Sequence, residues 1–376
     1  MHYNFKYYIP SKVHFGSGIT DGIGDYLKEV SMRQILVVTD PNISSLKWFQ
    51  SIMDKIINSN YSCYIFDKVH CEPSDDDVNA ALMYAQDKNI DGIIGIGGGS
   101  SMDCAKCVAT ALSSGIFTIE PFLRPGKKEV ERKFPLVLIP TTAGTGAEIT
   151  RGAVIIDKAH QIKRGFGNGG YYADLVLIDP NLGMTLTQKQ IATSGLDALC
   201  HAMESYLVNK TNPICKIWSY ASLKLIWDNL ANLYFQNDMK SREKMFLGSL
   251  LATMSFCTGV GLTFSHHISD VLGGTYNIPH GFASFYTLPN TIKIFTEKNN
   301  NNYSFQDLTE IFGVNVLNAL EDLTLLLRVP EYTNYFSPMS CDEINTLYNR
   351  VLNNSYRASG LDGEELLLVL QNSFSK

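Results

Sequence analysis

Asp197 and His201 stand four residues apart in Gly195-Leu-Asp-Ala-Leu-Cys-His201, where apolar positions recur with a helical period. That spacing presents a carboxylate and an imidazole on one helix face. Farther along, Ser265-His266-His267 and Ile278-Pro279-His280-Gly281 bring three more imidazoles into a short span. His266 and His280 complete a candidate set of one Asp and three His. Such N/O donors suit a divalent iron or zinc ion, and a set without cysteine is unlike a zinc-finger site. Any one of these histidines alone is more readily explained as a packed core or surface side chain; the combination carries the metal. A divalent ion held there acts as a Lewis acid on an oxygen bound to it.

A second chemical signal lies upstream. Gly97-Gly98-Gly99-Ser100-Ser-Met-Asp103-Cys-Ala-Lys106 follows an apolar run and opens a helical pattern. Glycines let the backbone approach closely, and free N–H groups with the helix dipole attract a pyrophosphate. The turn is not a GxGxxG fingerprint and also fits a plain tight connection. Two features add weight. Asp40 ends an earlier apolar run, where a carboxylate accepts the ribose hydroxyls of NAD and repels the extra phosphate of NADP. Pro140-Thr141-Thr142-Ala-Gly-Thr145-Gly-Ala-Glu148 is another small-residue loop after a strand, offering hydroxyls and amides to a phosphate or nicotinamide.

These residues need elements to position them. Gln34–Asp40, Ser62–Phe66, Gly92–Gly97, Leu136–Pro140 and Leu175–Asp179 are short runs, apolar throughout, as in parallel strands covered on both faces. Helical patterns such as Ser45–Asn58 and Asp76–Asn89 lie between them. The layout predicts a doubly wound parallel α/β domain over residues 1–182. From Thr187 onward long amphipathic stretches follow one another: Gln188–Val208, Pro213–Phe235, Ser241–Thr258, Thr263–Gly273, Asp307–Leu327 and Cys341–Asn353. An all-helical, metal-binding domain is expected over residues 183–376, with Lys298–Ser304 as a surface loop.

The 376 residues are 45% hydrophobic, enough to bury large cores in two or three domains. A formal net charge of -6 gives no support for nucleic-acid binding. The N-terminus lacks a secretory layout, and no run of about 18 apolar residues spans a bilayer. Eight cysteines without a disulfide rhythm fit a reducing cytoplasm. Cys104 and Cys107 form a CxxC inside a helical pattern with no second pair, and no metal or redox role is expected of them.

GGGSSMDCAK, PTTAGTGAE, GLDALCHAMESY and the closing HH…LGG…IPHG together resemble the iron-containing (group III) alcohol dehydrogenase family, over roughly residues 5–295. The resemblance implies a dinucleotide domain and a helical domain, with metal and nicotinamide meeting in a cleft between them. By motif position it implies Asp197, His201, His266 and His280 as metal ligands, Gly98, Gly99 and Ser100 at the pyrophosphate, and Asp40 at the adenosine ribose. Thr141, Thr142, Thr145 and Lys163 would serve the nicotinamide half. Gly97 and Asp103 complete the expected cofactor residues.

The chain departs from the family pattern in places. A second His is common four residues after the third ligand; here that position is Asp270. The serine that often follows TTAGTG is Ala147, and an Asn-Pro-Arg-like stretch reads Asn353-Asn-Ser-Tyr-Arg357-Ala. The doublet His266-His267 with Asp270 is also reminiscent of the maleylacetate reductase branch, whose substrates are carboxylated. Arg151, Arg164 and Arg357 are candidates for an anionic group, with surface solvation the blander account. His267 is the nearest ionisable proton donor by sequence, with Asp270 or water as relay; the alternative is that His267 simply packs.

The expectation is therefore an Fe²⁺- or Zn²⁺-dependent, NAD-dependent alcohol dehydrogenase or aldehyde reductase. It is expected to be cytoplasmic and homodimeric, with no nucleic-acid or membrane partner. A dehydroquinate-synthase-like lyase is the competing enzyme class, against which the PTTAGTG loop speaks. A scaffold without catalysis is a third reading.

Overall fold

The computed structural model describes residues 4–123, 131–160, 162–167, 169–207, 212–257, 265–276, 278–298, 303–332, 338–353 and 361–375. The chain forms two compact units, one spanning Tyr8–Thr185 and the other Met1–Tyr7 with Leu186–Lys376.

The first unit is built on a six-stranded sheet in the order β1-β8-β5-β4-β2-β3, every pairing parallel. Its strands are β1 (Lys12–Phe15), β2 (Gln34–Val38), β3 (Ser62–Phe66), β4 (Gly92–Gly97), β5 (Leu136–Pro140) and β8 (Leu175–Ile178). Ile93, Ile94 and Ile96 of the central β4 are wholly buried. Each such side chain contributes about 2 kcal/mol by leaving water, which explains why these strands are apolar on both faces. Numbering helices of ten residues or more, α1 (Lys47–Asn58), α2 (Asp75–Ala85) and α3 (Gly99–Ser113) alternate with the strands. Ser74 and Asp77 form a reciprocal capping box that starts α2. Phe49, Ile52 and Ile56 of α1 pack on Ile35, Val37 and Ile94 of the sheet. The doubly wound sheet expected from the apolar runs is present.

Three strands were not expected. β1 is an edge strand with mostly exposed residues, so it carries no apolar run. β6 (Gly152–Asp157) and β7 (Ile162–Gly167) form a separate antiparallel hairpin. In β6, fully and partly buried residues alternate, the pattern of a strand covered on one face.

The second unit is helical among its described residues: α4 (Gln188–Leu207), α5 (Pro213–Gln236), α6 (Met239–Cys257), α7 (Ser265–Tyr276), α8 (His280–Lys298), α9 (Tyr303–Phe312), α10 (Val316–Leu326), α11 (Cys341–Asn353) and α12 (Gly363–Phe374). The expected Asp307–Leu327 helix is divided: Gly313 adopts φ +74° and the Asn315 side chain caps α10 by accepting Leu317 N–H. α8 was not expected; Pro289 lies inside it, and proline argues more strongly than any other residue against a helix interior. Of the expected loop Lys298–Ser304, Lys298 ends α8 and Tyr303 starts α9, while 299–302 lie outside the described residues, as does Arg357. No described helix is long and apolar enough to cross a membrane.

Candidate metal centre and nucleotide cradle

α4 presents Asp197, His201 and Glu204 at helical spacing, all buried. α7 contributes His266 from its first turn, and α8 begins at His280. The glycine after His280 is a packing requirement. A Cβ on Gly281 would stand 1.9 Å from the Thr193 carbonyl oxygen and 3.0 Å from Asp197 Cβ, so only glycine lets α8 start this close to α4.

One donor atom each from Asp197, His201 and His266 lie within 4.8 Å of one another. His266 Nε2 is 3.4 Å from Asp197 Oδ1, and His280 Nε2 is 3.8 Å from the same oxygen. The His201 and His266 rings stack with centroids 4.2 Å apart, and Phe256 covers the His201 ring at 4.7 Å. Burial alone would raise the Asp197 carboxyl; the neighbouring His201, His266 and His280 overturn that and hold it well below the usual carboxylate range. Burial pushes His266 down, but the Glu204 charge and the Asp197 contact win and raise it to about 9.

The donors fit a divalent ion. Asp197 Oδ1 is sealed from solvent and accepts no well-aligned hydrogen bond, although two imidazole nitrogens approach it. Two ligands each about 2.1 Å from a shared ion at a tetrahedral angle lie about 3.4 Å apart, which is ligand spacing rather than hydrogen-bond spacing. The second ring nitrogens have polar neighbours: Ser269 Oγ is hydrogen-bonded to His280 Nδ1 at 3.2 Å, and Glu204 Oε1 lies 3.0 Å from His266 Nδ1 without the alignment of a hydrogen bond. Both arrangements leave Nε2 facing Asp197.

Asp270 lies beside this set, its Oδ1 3.9 Å from His280 Nδ1. His267 has a different setting. It is buried, and its Nε2 lies 3.0 Å from the Val351 carbonyl oxygen of α11, so that nitrogen carries the proton and donates it there. The next residue along a helix points about 100° away, which separates the two neighbouring histidines. This contact ties α7 to α11, the packing alternative weighed for His267 beside proton delivery.

In the sheet unit, β4 and β5 are neighbours with Gly97 opposite Pro140, so the two small-residue loops leave the sheet side by side. Thr141 N–H donates to the Gly97 carbonyl at 3.0 Å. A Cβ on Gly99 would meet Thr145 Oγ1 at 2.9 Å, and one on Gly98 would meet Thr142 Oγ1 at 3.5 Å. Gly97, Gly98, Gly99, Ser100, Thr141, Thr142 and Thr145 thus converge at the N-terminus of α3, where N–H groups and the dipole favour an anion. Asp40 follows β2; its Oδ1 accepts the Asn42 and Ile43 N–H groups, capping the short helical turn Pro41–Ser44.

Asp103 is held by residues of the sheet unit. One turn into α3, its Oδ2 accepts the Val154 N–H at 2.9 Å and its Oδ1 lies 3.4 Å from Lys106 Nζ, so the carboxylate fastens β6 rather than facing the cradle. Lys106 is fully buried and donates to Thr150 Oγ1 at 2.8 Å and the Gly152 carbonyl at 2.7 Å. Lys163, on β7, is ion-paired with Glu72. Of the candidate anion-binding arginines, Arg164 is held by Asp157 at 2.6 Å and Arg151 is exposed.

Sequence reasoning missed Glu204, Lys106 and Glu72. Glu204 was findable, because it extends the Asp197/His201 face by one more turn. Glu72 and Lys106 were not, because their partners come from remote strands.

A parallel α/β unit with a glycine cradle and a helical unit with a buried Asp/His cluster define a nucleotide- and metal-using enzyme class. Residues 10–180 match the iron-containing alcohol dehydrogenase family and residues 191–328 its C-terminal domain, and the chain belongs to that family. It is 29% identical over 317 residues to NAD-dependent methanol dehydrogenase of Bacillus methanolicus, covering 83% of this chain and 81% of that one. It is 31% identical over 285 residues to alcohol dehydrogenase 4 of Saccharomyces cerevisiae, covering 75% and 74%. The crystal structure of an iron-containing alcohol dehydrogenase from Thermotoga maritima matches over 99% of both chains with a TM-score of 0.84 at 26% identity.

Proposed function

We propose that the chain transfers a hydride between NAD(H) and a small alcohol or aldehyde, using Fe²⁺ held by Asp197, His201, His266 and His280. The observation that carries this is the buried Asp197 Oδ1, approached by His266 and His280 nitrogens without a well-aligned hydrogen bond. A bound divalent ion would supply Lewis-acid polarisation of the substrate oxygen, and the nicotinamide would supply the hydride. The protein's own part is to orient and exclude. Ser269 orients the His280 ring, the Glu204 charge stands beside the His266 ring, and the stacked Phe256 shields the His201 ring from water. Gly98, Gly99 and Ser100 receive the pyrophosphate, Asp40 the adenosine ribose, and Thr142 and Thr145 line the cradle.

NAD is supported by the carboxylate following β2 and by the name of the Bacillus methanolicus relative. Arg164, one of the candidates for an anionic substrate group, is already paired with Asp157. A cytoplasmic setting is supported by eight free thiols, and the homodimer by family resemblance alone. The test is NADH oxidation by purified, iron-loaded protein with a panel of aldehydes. Net NADH consumption that is lost on chelation and regained with Fe²⁺ fits the reading; turnover of a substrate without net NADH change would favour a lyase instead.

A further inference from the structure

α5 packs against α4 and α6 with one side of its surface. Leu230 lies against Gly195 of α4, Ile226 lies against Gly248 of α6, and Ser222 Oγ donates to the Gly248 carbonyl at 2.7 Å. The opposite side of the helix carries an exposed stripe at helical spacing: Ile217, Tyr220, Lys224, Asp228 and Phe235. Ile217 is 64% exposed and Phe235 51%. Single exposed apolar residues are ordinary, but these are arranged symmetrically. Lys224 and Asp228 stand two residues either side of the level of Ile226, and Ile217 and Phe235 stand nine residues either side. At about 100° per residue, Ile217 and Phe235 project in the same direction, and Lys224 and Asp228 diverge by only about 40°.

We propose that this face of α5 binds a second copy of the chain, the two helices running antiparallel across a two-fold axis at the level of Ile226. A two-fold contact requires a surface complementary to itself, and the stripe meets that requirement. Lys224 faces the partner's Asp228 and Ile217 faces the partner's Phe235, each contact occurring twice, while Tyr220 falls over the small Ala231 of the partner. The two ends of the stripe are about 27 Å apart along the helix, so both meet when the crossing is shallow. Within one chain Lys224 and Asp228 pair with each other at 3.1 Å, their side chains 59% and 49% exposed. An exposed pair of this kind contributes little to a helix, so exchanging partners across the axis costs little. A nucleic acid or a strongly charged protein would call for a face of one sign; this one carries one charge of each sign at mirrored positions. The contact is independent of the NAD and iron reading and gives the homodimer proposed above a surface.

The experiment is sedimentation velocity of the full chain with two charge-reversed variants, each alone and then mixed. Lys224→Glu and Asp228→Lys are each expected to dissociate at concentrations where the wild type is associated, because each sets like charges face to face twice. An equimolar mixture of the two is expected to re-associate, since one variant then offers two carboxylates to the other's two ammonium groups. Rescue in the mixture cannot come from within a chain, and it shows that both variants are folded. Should either variant fail to fold, Phe235→Ser tests the same contact without a charge. It is expected to raise the dissociation constant about ten-fold or more, because symmetry removes the apolar contact twice. A wild type that stays associated through all three substitutions, or folded charge variants that remain apart when mixed, overturn this contact and leave the homodimer standing. A monomeric wild type overturns both.

Discussion

Glu204 Oε1 meets His266 at two points: it accepts the backbone N–H at 3.2 Å and lies 3.0 Å from ring Nδ1. One buried carboxylate thus anchors the start of α7 against α4 and places its charge beside the ring nitrogen turned away from Asp197. Such partners of a metal-binding histidine commonly change metal affinity by about 10–100-fold. Glu204→Ala is therefore expected to lose iron by about that factor, with Glu204→Gln intermediate, as measured by competition with a chelator of known affinity. Unchanged affinity in the alanine variant would show that His266 needs no orienting carboxylate.

Asp197, His201, His266 and His280 are expected to act together. Asp197→Ala, His266→Ala and His280→Ala should each abolish activity and most metal binding, as read by elemental analysis after dialysis. His280 begins a helix and is partly exposed, so its loss should spare more of the fold than loss of the buried Asp197. Full iron occupancy in the His280→Ala protein would remove that residue from the ligand set.

Asp40 does two jobs that substitution can separate. Its Oδ1 caps the turn Pro41–Ser44, worth about 1 kcal/mol, while its charge is proposed to select NAD over NADP. Asp40→Asn keeps a capping oxygen and removes the charge, so it should relax cofactor preference by about 1–3 kcal/mol at little cost in stability. Comparing kcat/KM with NADH and NADPH checks this. Equal efficiency of the wild type with both would mean that Asp40 does not face the ribose.

His267 donates to the Val351 carbonyl, so its replacement should cost stability rather than chemistry. His267→Gln is expected to lower the melting temperature while leaving kcat and its pH profile within about two-fold at matched iron content. A fall of roughly 10²-fold at retained metal would instead restore the general-acid role.

Glu148, buried behind the cradle, gives a pH signature of stability. Burial raises its carboxyl from 4.5 to about 7, with the Lys106 charge offsetting only part of that. A carboxyl raised in the folded state is neutral and harmless below its ordinary value, and its burial penalty builds as pH climbs from that value to the raised one and is complete above it. Glu148→Gln should thus stabilise the protein by about 1–3 kcal/mol at pH 8 and have little effect at pH 4. Denaturant unfolding at both values is the check, and an equal shift at the two would assign the effect to packing.

Much of this protein is local in origin and so is readable from the sequence alone. Runs such as Gly92–Gly97 declare a strand buried on both faces because nothing polar interrupts them, and Asp197 and His201 share a helix face because 3.6 residues make a turn. The glycine turn at Gly97–Gly99 is likewise a matter of backbone freedom. Other features were settled only by tertiary contacts. α8 runs through Pro289 because packing outweighs a single unfavourable residue, and β1 and the β6–β7 hairpin form on pairing partners that their own residues do not name. Asp103 and His267 have types that suggest chemistry, yet neighbours distant in sequence claim them: the Val154 amide for one, the Val351 carbonyl for the other. Glu72 shows the reverse, an unremarked loop residue to which folding brings Ser100 and Lys163. Residue type and spacing determine which chemistry a side chain can perform; which polar groups it must satisfy once buried is decided by whatever the fold places within hydrogen-bond reach.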